Sequence, residues 1–297
     1  MRRTNPIHHD PASRARRQHW CVQDSIALLD FLKSKLAPQS ATSIKNLLHH
    51  RNILVNDAPI TQFNYALTPG DDVTVISAHQ ARYDLDHPKL RILFQDDYLL
   101  VVHKDSGLHS VDTTRGGVEN AAAILEAYLR RKSPNKRIYV VHRLDRDTSG
   151  VMIFAKTREA QQKLIADWND RILNRTYIAI AEGRIEPPQG TIDCNLYEDD
   201  RKVVHATTNP NIGLRAITHY KVLDVDGDNS RVQLDLETGR TNQIRVHLQS
   251  IGHPVTGDAK YGAQRDPYGR LALHAKNIRF YHPISQRILS FEVEPPF

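Results

Sequence analysis

Residues 142–150 read His-Arg-Leu-Asp-Arg-Asp-Thr-Ser-Gly. Ile138, Tyr139, Val140 and Val141 stand before them, and Val151, Met152, Ile153, Phe154 and Ala155 after. Both flanks are short apolar runs of strand length, rich in β-branched and aromatic side chains, and they predict two strands of a buried sheet. Between them Asp147, Ser149 and Gly150 supply turn chemistry, because Asp and Ser bond their own backbone and Gly is conformationally permissive. The nonapeptide is therefore a sharp connection that places Asp145 at a strand end, beside Arg143 and Arg146. Neighbouring cations keep a carboxylate ionised at neutral pH. Two readings follow from these residues alone: a charged group held as nucleophile or salt-bridge anchor, or an Asx turn with charged decoration.

Outward from this stretch, Glu119 to Leu129 is rich in Ala and Leu and predicts a helix. Thr157 suits the N-cap of a second helix reaching about Asp170, with Ala160, Leu164, Ile165 and Trp168 on one buried face. Strands are expected over 176–181, 217–224, 230–237, 242–248 and 287–293. Helices and strands alternate irregularly, which predicts an α+β domain around a largely antiparallel sheet. Met152 and Trp168 read as core residues. Nearer the N-terminus, Ile26, Leu28, Leu29, Phe31, Leu32 and Leu36 suit an amphipathic helix ended by Pro38, and Ile44, Leu47 and Leu48 a shorter one. Ile53 to Asp57 reads as strand and turn, and Pro69 to Asp72 as a turn before a strand over Val73–Ile76. Residues 77–89 lack apolar periodicity and read as a linker. The expected organisation is a disordered basic tail over 1–20, a small α/β domain over 21–76, the linker, and a main domain over 90–297.

The net charge is +6, from 40 basic and 34 acidic side chains, which is compatible with a nucleic-acid partner. Residues 1–20 hold five Arg and one Asp, so the tail carries +4 and the remaining chain only +2. Attraction for RNA in the folded part must come from local patches. Residues 130–146 form one, with Arg130, Arg131, Lys132, Lys136, Arg137, Arg143 and Arg146 against Asp145 alone. Cys21 and Cys194 show no zinc spacing and no disulfide framework, which fits a reducing cytoplasm. No run of about 18 apolar residues exists to span a membrane, and the N-terminus lacks the apolar core of a secretory signal. The chain has no phosphate-loop or dinucleotide fingerprint, and no metal or other cofactor is expected.

His142-Arg143-Leu144-Asp145 followed by Thr148-Ser149-Gly150-Val151 resembles the active-site motif of the RluA-type pseudouridine synthases, stand-alone isomerases of uridine in ribosomal and transfer RNA. Other blocks of that family follow in order: Phe94 to Val102 with Lys104 and Ser106-Gly107-Leu108, then Arg175-Thr176-Tyr177-Ile178-Ala179, then Thr238 to His247. Gly252-His253-Pro254, Gly257-Asp258, Tyr261-Gly262 and Leu273-His274-Ala275 close the series. The similarity runs from about residue 90 to the C-terminus. It departs from the family where His103 and Asp105 replace Asn and Pro, and where Asn242 replaces His, changes that bear on target choice. Residues 21–76 are similar to the small S-four-like RNA-binding domain, with Lys45, His49 and Arg51 on the face used for RNA.

The resemblance implies a bent mixed sheet crossed by an RNA cleft. It implies that Asp145 does the chemistry, that Tyr177 stacks on the flipped uracil, and that Arg245 pairs with Asp145 to hold and ionise it. Arg143 would enter the space left by the base, and Arg137, Arg146 and Arg240 would contact RNA. It further implies a monomer that needs no guide RNA, acting on ribosomal RNA, especially of the large subunit, with transfer RNA second. Isomerising uridine breaks the bond from ribose to a ring nitrogen and rejoins the sugar to a ring carbon, so no electron, phosphate or hydride moves. Two other functions are weighed: an RNA-binding or ribosome-assembly protein that keeps the fold without turnover, and a metal-dependent glycosyl-transfer enzyme using Asp145 and Asp147.

Overall fold

The computed structural model describes residues 18–36, 44–45, 47–48, 53–56, 58–75, 83, 85–112 and 117–297, and the counts below refer to these. Of the expectations above, those on residues 1–17, Pro38, His49, Arg51, Asp57, Ile76 and the linker residues 77–82 and 84 lie outside the described residues. The chain divides into two compact units, Met1–Asp84 and Leu85–Phe297.

In the first unit, β1 (Gln18–Cys21) pairs with β6 (Asp72–Val75), which pairs with β3 (Ile53–Val55) and through it with β4 (Ala58–Pro59). A second small pairing joins β2 (Ile26–Ala27) to β5 (Ala66–Leu67). Helix α1 (Leu28–Lys35) and the helical residues Ile44 and Leu48 pack on Ile53, Leu67 and Val73, all almost fully buried. Two expectations shift here. Residues 18–20, read as tail, belong to β1, and Ile26, read as helical, pairs as a strand ahead of α1.

The second unit is an α+β fold built on an 11-stranded sheet. Its strands are β7 (Leu90–Gln95), β8 (Leu99–Lys104), β9 (Tyr139–Val140), β10 (Ser149–Ala155), β11 (Ile172–Glu182), β12 (Gln189–Glu198), β13 (Val204–Thr207), β14 (Leu214–Asp226), β15 (Asn229–Leu236), β16 (Leu273–Tyr281) and β17 (Ile288–Glu292). The path runs β13-β12-β14-β15-β11-β16-β10-β8-β7, with β17 on β16 and β9 on β10. Every pairing is antiparallel except β10 with β16. Helix α2 (Ala121–Lys132) starts after Asn120, whose side chain accepts from the Ala123 N–H, rather than at Glu119. Thr157 does cap α3 (Arg158–Ala166), which breaks at Asp167 before the short α4 (Trp168–Arg171). Ala160 and Leu164 are buried as expected, but Ile165 is 49% exposed because it sits one residue off that stripe.

The strand expected over 242–248 is instead helix α5 (Gln243–Ser250). Ile244, Val246 and Leu248 alternate in sequence, which imitates a strand, yet Gln243 and His247 are buried with them. A helix enclosed on most sides loses its amphipathic period. Gln243 is satisfied inside: its amide donates to the Ile217 carbonyl and the Thr218 hydroxyl, and accepts from Thr238 and the Arg240 N–H.

One close approach sets the middle of the sheet. Gly150 lies beside Ala275 in the parallel β10–β16 pair, and Ala275 is opposite Tyr177 in the β11–β16 pair. Gly150, Ala275 and Tyr177 thus form a row across three strands, and the 141–148 connection hangs beside that row. Gly150 has φ +128°, and a Cβ added to it would fall 2.2 Å from the Ala275 carbonyl oxygen. The substitution Gly150→Ala combines backbone strain with overpacking against backbone that cannot yield, and is expected to cost about 3 kcal/mol or more. Urea unfolding followed by Trp fluorescence checks this; a loss under about 1 kcal/mol would show that the strands separate easily.

Candidate active site

The connection from β9 to β10 is gripped by the segment that follows β8. The Ser110 hydroxyl donates to the Leu144 carbonyl at 2.6 Å and accepts from the Leu144 N–H at 3.1 Å. The Gly107 N–H and the Lys104 ammonium both donate to the Arg146 carbonyl, at 2.9 and 3.1 Å. The Ser106 hydroxyl donates to the Asp147 carbonyl at 2.8 Å. Lys104 is fully buried and gives its remaining hydrogens to the Asp105 and Leu108 carbonyls at 3.1 and 2.9 Å. Burial pushes its ammonium down to about 8, against the pull of Asp147 and Asp145, so at neutral pH it is still charged and has three donors for three carbonyls. At the loop's start, His142 Nε2 accepts from the Ile153 N–H at 3.0 Å. Burial, with Arg175 adding, lowers His142 to about 3 and keeps it a neutral acceptor.

The turn itself is a backbone one, from the Thr148 N–H to the Asp145 carbonyl at 3.2 Å. This leaves the Asp145 carboxylate turned away from its neighbours in sequence. Arg146 pairs with Asp147 at 2.9 Å on the surface, so it is not the cation that Asp145 meets. That cation is Arg245 of α5, whose Nη1 lies 3.5 Å from Asp145 Oδ2. Arg245 therefore pairs with Asp145 as expected, but through a single contact. Both parallel hydrogen bonds go to Asp258, Nε to Oδ2 at 2.6 Å and Nη2 to Oδ1 at 2.7 Å. Nη1 also donates to Asn242 Oδ1 at 3.0 Å, and the guanidinium lies 4.8 Å from the centre of the Tyr261 ring. The physical reason is burial: the Asp258 side chain is 1% exposed and Asp145 25%, and an enclosed carboxylate needs charge-assisted partners far more than one in reach of water. Burial works against the Arg245 charge, but the Asp258 bonds and charge, with Asp145 adding, hold its pKa above the ordinary arginine value.

Tyr177 faces Asp145 from β11, and a pocket forms between Arg143, Asp145, Tyr177, Arg240, Arg245 and Leu273. Burial, with the Asp145 charge adding and Arg175 opposing, raises the Tyr177 phenol above its usual value, so it is neutral. Arg143 and Arg240 are exposed at the pocket; Arg240 Nε donates to the Arg215 carbonyl at 3.2 Å. Arg137 is exposed outside the pocket lining, and Arg146 is spent on Asp147. Lys45 lies in the first unit, exposed, 5.7 Å from the Phe63 ring. Among the described residues no three His, Cys, Asp or Glu side chains gather as metal ligands.

Sequence reasoning assigned no role to Lys104, Ser106, Ser110, Asp258 or Tyr261. The motifs containing most of them are visible in the chain, but a carboxylate that orients an arginine is recognisable only once its burial is known. Asn242 stands in αL (φ 54°) ahead of α5, and its amide donates to the Tyr261 hydroxyl at 2.9 Å while its oxygen accepts from Arg245. It therefore fixes both groups that frame the guanidinium.

Removing one partner of a buried pair strands the other charge, so Asp258→Asn is expected to lose about 3–5 kcal/mol of stability. Asp147→Asn breaks a pair that is roughly half exposed on both sides and should lose under about 1 kcal/mol. Parallel denaturant titrations of the two variants check the difference, and equal losses would show that the Arg245–Asp258 fork is not a structural anchor.

Comparison with known proteins agrees with this geometry. The profile of the RNA pseudouridylate synthase family matches residues 98–250. A Bacillus subtilis (strain 168) protein named uncharacterized RNA pseudouridine synthase YhcT is 34% identical over 278 residues, covering 92% of this chain and 91% of its own. Ribosomal large subunit pseudouridine synthase D of Escherichia coli (strain K12) is 32% identical over 278 residues, 86% of this chain and 83% of that one. Among solved structures, human RNA pseudouridylate synthase domain containing 1 superposes with a TM-score of 0.56 at 27% identity, over 70% of this chain and 84% of that one. With the family profile over half the chain and relatives of this identity along nearly all of it, the chain belongs to the RNA pseudouridylate synthases, the isomerases that make pseudouridine in RNA.

Proposed function

We propose that Asp145 is the catalytic carboxylate of this synthase and that its substrate is structured ribosomal RNA of the large subunit. The observation that carries the residue assignment is the division of labour around Arg245. Asp258 takes the two strong hydrogen bonds, and Asp145 is left partly exposed, 3.5 Å from the guanidinium and in the same pocket as Tyr177. A carboxylate in that state can attack the sugar or take a proton while the base detaches. Arg245 positions it. Tyr177, a neutral aromatic at the pocket wall, stacks on the uracil once it leaves its helix, a step that costs about a few kcal/mol and less in a loop.

Arg143 stands where it can fill the gap left by the flipped base, and Arg240 where it can meet the backbone. Arg137, exposed outside the pocket, can meet the same strand of RNA, whereas Arg146 is paired with Asp147. The first unit, with Lys45 exposed, serves as an S-four-like RNA-binding domain, and a single copy of the chain, without guide RNA, acts in the cytoplasm. The choice of large-subunit RNA follows the name of the Escherichia coli relative, with transfer RNA as the second substrate class. The reading without turnover is disfavoured by the intact Asp145, Tyr177 and Arg245 pocket. The metal-dependent glycosyl-transfer reading is overturned by the family match; in addition, Asp145 and Asp147 are tied to different arginines.

Replacing Asp145 by Asn keeps the shape of the side chain and removes its charge. Tritium release from uracil-labelled total RNA of a strain lacking the gene should fall at least about several hundredfold, the scale of a positioned acid–base group. Asp147→Asn, two residues on, should keep most of the activity. Wild-type rates in Asp145→Asn with a dead Asp147→Asn would move the assignment to the other carboxylate.

The pH profile tests the grip on the loop. Above about 8 Lys104 loses its proton and one of its three donors, so turnover is expected to fall with a midpoint near that value. Global stability should not fall with it. The folded pKa, about 8, is below the ordinary 10.5, so between them the unfolded state binds more protons and the Lys104 contribution to stability rises with pH. Lys104→Met should be slow throughout and lack this limb. A basic limb that is unchanged in Lys104→Met would assign it to another group.

A further inference from the structure

Next to the Asp145 pocket the sheet divides. Strands β11 and β15 are paired from Glu182–Asn229 to Thr176–Asp235, but the β11 residues 172–175 pair only with β16. A cleft of about 480 Å³ opens where the two strands part. One wall is the Trp168 indole, with the Arg175 guanidinium 5.5 Å from its ring centre. Asp235, Glu237 and His219 line the same cleft; both Asp235 oxygens accept, from Thr176 and Gln233, while the Glu237 carboxylate is 55% exposed and 2.7 Å from His219 Nε2. Arg175 Nη2 is shared among the Leu236, Glu237 and Thr238 carbonyls, each at 3.4 Å. Leu236 lines both this cleft and the Asp145 pocket, and Arg175 and Tyr177, two apart on β11, project from the same side of it. The cleft therefore continues the site along the strand.

An aromatic ring and an exposed carboxylate lining one cleft select a particular chemistry. Two carboxylates repel a phosphate, whereas a nucleobase can stack on the indole and donate its exocyclic amine to Glu237, as acidic side chains accept from cytosine N4. Uracil offers a carbonyl oxygen at that position and is repelled. We propose that this cleft is a second base subsite, which holds a nucleotide flanking the target uridine in the same RNA strand and prefers cytosine over uracil there. The proposal rests on the uridine-isomerising reading of the adjacent pocket and adds a sequence preference to it.

The chain has two tryptophans, Trp20 in the first unit and Trp168 in the cleft, so the indole N–H signal of Trp168 reports the subsite and that of Trp20 is an internal reference. Short oligocytidylate and oligouridylate of equal length are titrated into the full-length protein. Oligocytidylate should shift the Trp168 signal with an affinity about fivefold or more above that of oligouridylate, the scale of one base-edge contact. Glu237→Gln, which adds an amide donor suited to a carbonyl, should narrow or reverse that ratio. Equal response to both oligonucleotides, no response of Trp168, or an unchanged ratio in Glu237→Gln would overturn the subsite. Turnover of labelled RNA is measured on the same wild-type protein: active enzyme without the cytosine preference removes the subsite alone, and the preference without turnover removes the isomerase reading alone.

Discussion

Two buried hydrogen bonds between the Arg245 guanidinium and the Asp258 carboxylate, 2.6 and 2.7 Å long, determine which charge Asp145 meets and at what distance. Arginine presents its donors in a fixed plane, so holding two of them fixes the direction of the rest. Tyr261 against the guanidinium face and Asn242 on Nη1 complete the frame. Asp145 is thereby left with one ionic neighbour at 3.5 Å and part of its surface open. A carboxylate bound in a full fork would be a poor nucleophile, and one with no cation nearby would not be held in place. The arrangement sits between those limits, and a second carboxylate is what keeps it there.

The other half of the site is a loop with almost no regular structure of its own, held by its backbone carbonyls. Lys104, Ser106, Gly107 and Ser110 take the carbonyls of Leu144, Arg146 and Asp147, which leaves the Asp145 side chain outside the bracing network. Such bracing suits a residue that must be positioned without being consumed as a structural partner. It also explains why a lysine is buried at the end of β8: three carbonyls converge there, and an ammonium has three hydrogens. Gly150 adds the last constraint, because the parallel β10–β16 contact that places the loop beside Tyr177 leaves no space for a side chain.

The departures at His103, Asp105 and Asn242 take on different meanings in the structure. Asn242 is part of the frame around Arg245. His103 and Asp105 flank Lys104 at the end of β8, with His103 Nε2 3.5 Å from Asp105 Oδ1 and no hydrogen-bond partner found for that buried nitrogen. Burial lowers the His103 pKa, opposed by Asp105, and neither residue lines the Asp145 pocket.

The sequence by itself determined the strands on either side of 142–150, the Thr157 cap and the α+β class, and it singled out Asp145, Tyr177 and Arg245 as candidates, which line one pocket. Each of these is carried by local chemistry: apolar runs, a capping oxygen, or a short motif whose residues are neighbours in the chain. It misread 242–248, because alternation of Ile244, Val246 and Leu248 looks the same in a strand and in a helix buried on most sides. It set Asp145 beside Arg143 and Arg146 on the strength of proximity in the chain, and it did not reveal that Asp258 takes both parallel hydrogen bonds of Arg245. Only the tertiary structure decided those points. Which carboxylate receives the fork depends on burial, 1% exposed for Asp258 against 25% for Asp145, and burial is a property of the packed sheet and helices that no run of neighbouring residues encodes.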